Sequence, residues 1–268
     1  MNARRVLMLA ALLAPALAPA RAPAADTPRP ELPPVAVDGE STAAREQKTV
    51  ADLLQVLEVF EREKARYAPG AELRIRVLPR HDLADAPALE LRHGTVREPI
   101  TLDALGRFTV PPAWRALPAG AVVRSRLPGG RLAWAVDVRT PGLPEHSRRL
   151  GDLRLECRAD LYGGALMRGV KPPAFYALRA ASDICASRLV ALGFFADEPV
   201  FAVQVSHAGR SAELSYRWMH GREVGQTSLL FGLVDWPFAL RDRFVAMPPD
   251  KWADWPHDAR IDLEPMTP

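Results

Sequence analysis

The chain of 268 residues has only two cysteines, Cys157 and Cys185, and only four lysines. The cysteines are not in C-x-x-C spacing, so neither a redox-active dithiol nor a cysteine-built metal site is expected. Six histidines, at 81, 93, 146, 207, 220 and 257, include no H-E-x-x-H or comparable ligand spacing. There is no G-x-S-x-G elbow, no Walker loop and no G-x-G-x-x-G. Asp250, Asp254 and Asp258 lie four apart, but Pro248, Pro249 and Pro256 oppose the helix that would align them. No catalytic residue, cofactor or metal is therefore assigned from sequence.

Long apolar runs are also lacking, except at the start. Arg4 and Arg5 precede an apolar stretch from Val6 to Leu13, and small residues follow to Ala22-Pro23-Ala24-Ala25. This is the order of a secretory leader over 1–25, with cleavage after Ala24 or Ala25. Pro15 and Pro19 interrupt it too early for a spanning helix, which needs about 20 apolar residues. The expectation is a periplasmic or secreted protein with no membrane span after cleavage. No cysteine follows the apolar stretch, so no lipid anchor is expected.

Without the leader's Arg4, Arg5 and Arg21, the 35 basic residues fall to 32 and equal the 32 acidic ones. A neutral chain has no electrostatic footprint for nucleic acid, so that partner is set aside. Two cysteines in an exported chain predict a disulfide between Cys157 and Cys185. Closing that loop is worth about 3–4 kcal/mol on the loop-entropy scale.

Residues 26–48 hold Pro28, Pro30, Pro33 and Pro34 and read as an extended tether. Over 49–68, Thr49 opens a capping sequence, and Val50, Leu53, Leu54, Leu57 and Phe60 recur at helical spacing until Pro69-Gly70. That is an amphipathic helix. From 70 to 158 the period becomes two: Leu73, Ile75 and Val77, then Leu89 and Leu91, then Ile100 and Leu102, then Phe108 and Val110. A hairpin is expected between Val122–Leu127 and Leu132–Val138 across Pro128-Gly129-Gly130. A last strand, G-D-L-R-L-E-C-R from Gly151 to Arg158, alternates Leu153, Leu155 and Cys157 with charged residues. About seven antiparallel strands make a β-sandwich domain. A helical or irregular clasp over 159–187 follows, then a second β-rich domain over 188–268. The fold class expected is mainly β: two tandem sandwich-like domains, an N-terminal helix and an interdomain clasp.

The stretch P-I-T-L-D-A-L-G-R-F-T-V-P, Pro99 to Pro111, resembles the carboxypeptidase regulatory-like, transthyretin-type β-sandwich modules over about 70–157. That resemblance implies a fold and no catalytic residue. The second domain reads as a degenerate repeat of the first. Phe108, Trp114, Pro118, Ala121 and Val123 match Phe244, Trp252, Pro256, Ala259 and Ile261. Pro99, Ile100 and Leu102 match Pro237, Phe238 and Leu240, and Leu89, Leu91, His93 and Gly94 match Tyr216, Trp218, His220 and Gly221. An insertion of about eleven residues follows Gly221.

This repeat assigns Trp252, Trp218 and Trp255 to core positions, because Trp114, Leu91 and Leu117 stand opposite them. Trp236 replaces Glu98 and is the candidate exposed contact. The function expected is a non-catalytic envelope binding or structural module with a protein or glycan partner. The alternative is a periplasmic hydrolase or carbohydrate-active enzyme with its site between the domains.

Overall fold

The computed structural model describes residues 45–81, 83, 87–163, 176, 180, 183–188, 191–221 and 238–266. The molecule is mainly β, with several antiparallel sheets and two longer helices. Its first half runs β1 (Arg45–Thr49), α1 (Val50–Tyr67), β2 (Glu72–Pro79), β3 (Leu89–His93), β4 (Val96–Ile100), β5 (Arg107–Phe108), β6 (Val122–Pro128) and β7 (Leu132–Arg139). The second half runs β8 (Ser147–Arg149), α2 (Leu150–Gly163), β9 (Leu192–Phe195), β10 (Val200–His207), β11 (Arg210–Glu213), β12 (Phe244–Met247) and β13 (Arg260–Pro265).

α1 forms where the spacing predicts it. The Thr49 hydroxyl accepts from the Asp52 amide at 3.0 Å, which caps the first turn. Leu53, Val56, Leu57 and Phe60 face the first core, where Ile75, Val77, Leu91, Val123, Trp134 and Val136 meet them. Among the described residues no helix is long and apolar enough to cross a membrane.

Three expectations are corrected. Gly151–Arg158 is not a strand but the body of α2. Its alternation misled because the charged positions are not solvated: Asp152 and Arg154 are 0% and 3% exposed, and both are consumed by internal hydrogen bonds. Leu153 and Leu155 instead point to different cores, one in each half. The β6–β7 hairpin does not form either. β6 pairs with β1 and β3, whereas β7 pairs with β2 in another sheet, so Pro128-Gly129-Gly130 carries the chain between layers. Arg45–Lys48, assigned to the tether, form most of β1, where Lys48 and Gln47 stand opposite Val123 and Arg124. The clasp expected over 159–187 lies largely outside the described residues.

The sheets of the two halves have corresponding strand orders. One four-stranded sheet is ordered β1-β6-β3-β4 and the other β8-β13-β10-β11. β1 leads directly into α1 and β8 directly into α2. The first helical amide donates to an alanine carbonyl in both, Val50 to Ala121 at 2.9 Å and Leu150 to Ala259 at 2.9 Å. Ala121 in turn donates to Pro118, and Ala259 to Pro256. Leu117 donates to Trp114, and Trp255 to Trp252. The remaining strands form β5-β2-β7 in one half and β12-β9 in the other.

These ladders move two of the sequence matches. Val123 faces Leu91 across its ladder, and Ile261 faces Val205. The structural counterparts of Leu89, Leu91 and His93 are thus Val203, Val205 and His207. Tyr216–Trp218 is a 3-10 turn, so it is not a second copy of β3. Ile100 pairs with Leu89, and Leu214 donates to Val203, so Leu214 rather than Phe238 stands at the position of Ile100.

Between the halves a third apolar cluster, Leu78, Ala133, Phe195, Phe244 and Ala246, joins the outer face of β2 and β7 to β9 and β12. α1 and α2 also pack closely. A methyl group at Gly163 would lie 2.8 Å from the Val56 side chain, so the helices approach there only because glycine has none.

Candidate functional site

Cys157 and Cys185 are bonded, with Cα atoms 5.8 Å apart. The bond ties α2 to the short turn Ile184–Ala186. Just before that turn, Asp183 accepts from the Tyr67 hydroxyl and pairs with Arg66 at 3.0 Å and Arg158 at 3.5 Å. Arg158 also pairs with Glu63 at 2.9 Å and lies over the Tyr162 ring. Burial, then the Asp183 carboxylate, pushes the Tyr67 phenol well above its ordinary range. Next to it, Arg154 donates to the carbonyls of Trp252 and Trp255 at 3.0 Å each and lies 2.8 Å from His257 Nδ1. Burial and the Arg154 charge push the imidazole of His257 down, favouring its neutral form.

A second network lies where β2 and β7 meet the segment after β9. Arg76 donates to the carbonyls of Phe195 at 3.1 Å and Ala196 at 3.4 Å and pairs with Asp197 at 3.3 Å. Arg139 grips Asp197 through two 2.7 Å bonds and Asp137 through bonds of 2.9 and 3.0 Å. Burial raises the Asp197 carboxyl, but Arg139 and Arg76 outweigh it and hold it below the usual range. Arg148 donates to the Val138 carbonyl and to Glu156, whose other contact is the Val138 amide. Burial and the nearby Asp137 charge still push the Glu156 carboxyl up.

Two clefts border this network. One, of about 340 Å³, is walled by the loop from Thr140 to His146 and by Arg74, Arg107 and Arg139. The other, of about 70 Å³, lies between Trp134–Asp137 of β7, Gly193–Phe195 of β9 and Glu156 of α2. Asp137 and Asp197 line the larger cleft, but Arg139 binds both, so neither is free to act as a base there.

Trp236 and the insertion after Gly221 lie outside the described residues. Trp252 and Trp255 are buried, 5.8 Å apart, and Trp218 is half-buried against two cores. His93 and His220 both sit at chain reversals. His220 has φ 56° and contacts the Val200 carbonyl at 2.7 Å. Among the described residues no group of three or more His, Cys, Asp or Glu could hold a metal ion.

Sequence reasoning missed the Arg76–Asp137–Arg139–Asp197 network, because charged residues on one face of an alternating strand read as solvated. The overlooked signal is the company they keep. In L-A-W-A-V-D-V-R the face carrying Asp137 also carries Ala133 and Ala135, and small apolar residues there mark a covered face. Compared with known proteins, the chain matches no family model, no curated sequence and no solved structure.

Proposed function

We propose that this chain is an exported, non-catalytic binding or structural protein of the cell envelope, made of two copies of one β-rich, sandwich-like unit. Its leader spans 1–25, and the mature protein engages a protein partner. The observation that carries the reading is how the interior charges are spent. Asp137, Asp183 and Asp197 are each gripped by two or more arginines, and Arg76 and Arg154 are occupied by backbone carbonyls. Charge arranged in this way holds the halves in one arrangement, and at the larger cleft neither Asp137 nor Asp197 is free to act as a base. The corresponding strand orders and matched helix-entry hydrogen bonds support the duplication. The disulfide supports an oxidising compartment. The resemblance of Pro99–Pro111 to carboxypeptidase regulatory-like modules likewise implies no catalytic group.

The test is to recover the protein from its own cells after chemical crosslinking. The mature form should begin at Ala25 or Asp26, carry the Cys157–Cys185 bond and be joined to one recurring protein. Recovery of glycan alone, or of an uncleaved reduced chain, would overturn the reading.

A further inference from the structure

The sheet β1-β6-β3-β4 turns Leu89, Leu91 and Val123 into the first core, so the residues alternating with them face outward. On β3, β4 and β6 those residues include four arginines, Arg92, Arg97, Arg124 and Arg126, against one acid, Glu90. Arg97 and Arg126 are exposed, and Arg92 and Arg124 are half-exposed. Arg92 stands directly opposite Arg97, and Arg124 directly opposite Glu90. Glu90 pairs with Arg92 at 3.6 Å, whereas Arg97, Arg124 and Arg126 make no ion pair among the described residues. The other acid of β4, Glu98, faces the opposite way, 4.0 Å from His93.

The other four-stranded sheet shows that this charge is not needed to build such a face. With Val205 and Ile261 placed as Leu91 and Val123 are, the residues placed as Arg92, Arg97, Arg124 and Arg126 are Ser206, Ser211, Asp262 and Glu264. Ser206 stands opposite Ser211 there, and the ladder is kept. Like charges directly opposite on one face of a sheet destabilise it. The first half therefore carries an unfavourable Arg92–Arg97 pair where two serines serve the second half equally well. An anion brought from outside relieves that repulsion.

Resting on the binding-module reading above, we propose that the outward face of β3, β4 and β6 is a docking surface for an acidic, extended segment of a partner protein. Charge complementarity names the occupant: the face offers four guanidinium groups and a single carboxylate. Arg124 and Arg126 are two residues apart on one strand, about 6.8 Å, and Arg92 and Arg97 lie on neighbouring strands about 4.8 Å apart. An extended segment with Asp or Glu at every second position presents carboxylates at the first of these spacings. Each carboxylate can accept from both arms of one guanidinium, which gives the contact direction as well as attraction.

The test uses the purified full chain and a labelled peptide of four Glu-Thr repeats, whose glutamates share one face when extended, read by fluorescence anisotropy at low salt. Saturable binding is expected, weakened by added salt and absent for the same peptide with lysine in place of glutamate. Arg92→Ser with Arg97→Ser copies the other sheet and should weaken binding by at least about tenfold. Arg115→Ser with Arg260→Ser removes the same charge elsewhere and should bind as the wild type does. No saturable binding, or the same affinity in both double variants, overturns the surface. The urea midpoint of the first double variant should be at or above that of the wild type, because the like-charge pair is gone. A lower midpoint, or failure to fold, would give the two arginines a structural task and overturn the argument. Tighter binding of an eight-residue single-stranded DNA, or of phosphatidylglycerol vesicles, would assign the face to phosphate and overturn the protein partner. A dimer of this chain that the first double variant abolishes would assign it to a second copy, with the same result. One recurring protein crosslinked in cells equally to the wild type and to that variant would sink this surface alone and leave the binding-module reading standing.

Discussion

Gly151, the second residue of α2, is tightly enclosed by backbone. Its amide donates to the His257 carbonyl at 2.7 Å, and a Cβ there would lie 2.8 Å from that same oxygen and closer still to the Tyr67 carbonyl. Both obstacles are backbone, which cannot rotate away. Gly151→Ala is expected to destabilise at or above the top of the usual overpacking range of about 1–3 kcal/mol. Gly163→Ala, opposed mainly by Val56, is expected to fall within that range. Urea midpoints of the two variants check this order. His257 gives a pH prediction. Its pKa is lowered in the folded state, so the unfolded chain binds more protons just below about pH 6.5, the ordinary histidine value. Stability is therefore present above that value and lost as pH falls through it toward the folded pKa. The groups acting on the ring are Arg154, Arg66, Asp183 and Asp258. Comparing urea midpoints at about pH 7.5 and 5.5, His257→Gln should lose less stability than the wild type.

At the scale of elements, the disulfide and the arginine network hold different boundaries. Replacing both Cys157 and Cys185 by Ser should cost about 3–4 kcal/mol through the 28-residue loop, measured by denaturation under non-reducing conditions. Arg76→Met should cost about 3–5 kcal/mol, because it strands the Phe195 and Ala196 carbonyls and removes a cation from Asp197. If its melting behaviour is unchanged, the network does not join the halves. The elements differ in how legible they were. α1 was readable because cap, period and stop agree over 18 residues, and β2, β3, β6 and β7 were readable from clean alternation. α2 was not, because a helix wedged between two cores buries nearly every side and loses the one-sided stripe that marks a surface helix. The pairing of β6 and β7 was misread because a Pro-Gly-Gly turn looks the same whether it closes a hairpin or crosses between sheets. Of the site, the disulfide was legible and the ion network was not, since the one local sign of a covered Asp137 is the pair of small residues Ala133 and Ala135 on its face, and its partner Asp197 is distant in sequence.

At the scale of the whole molecule, one four-stranded sheet is ordered β1-β6-β3-β4 and the other β8-β13-β10-β11. Each half encloses its own core, α2 serves both, and a small third cluster seals them together. Around Trp114 and Trp252 the same short hydrogen bonds are made: Leu117 to Trp114 and Trp255 to Trp252, with Ala121 and Ala259 each receiving the first helical amide. The matches at Tyr216 and Phe238 are not kept by the ladders, because short apolar alternations recur by chance. What separates the halves is β7, which completes one small sheet while β9 has no counterpart strand beside it among the described residues. The most direct measurement is chemical crosslinking of the protein in its own cells, followed by identification of what is joined to it. The account predicts one recurring polypeptide joined to a mature, disulfide-bonded chain. Capture of nothing but lipid or glycan, or of an uncleaved reduced chain, would contradict it.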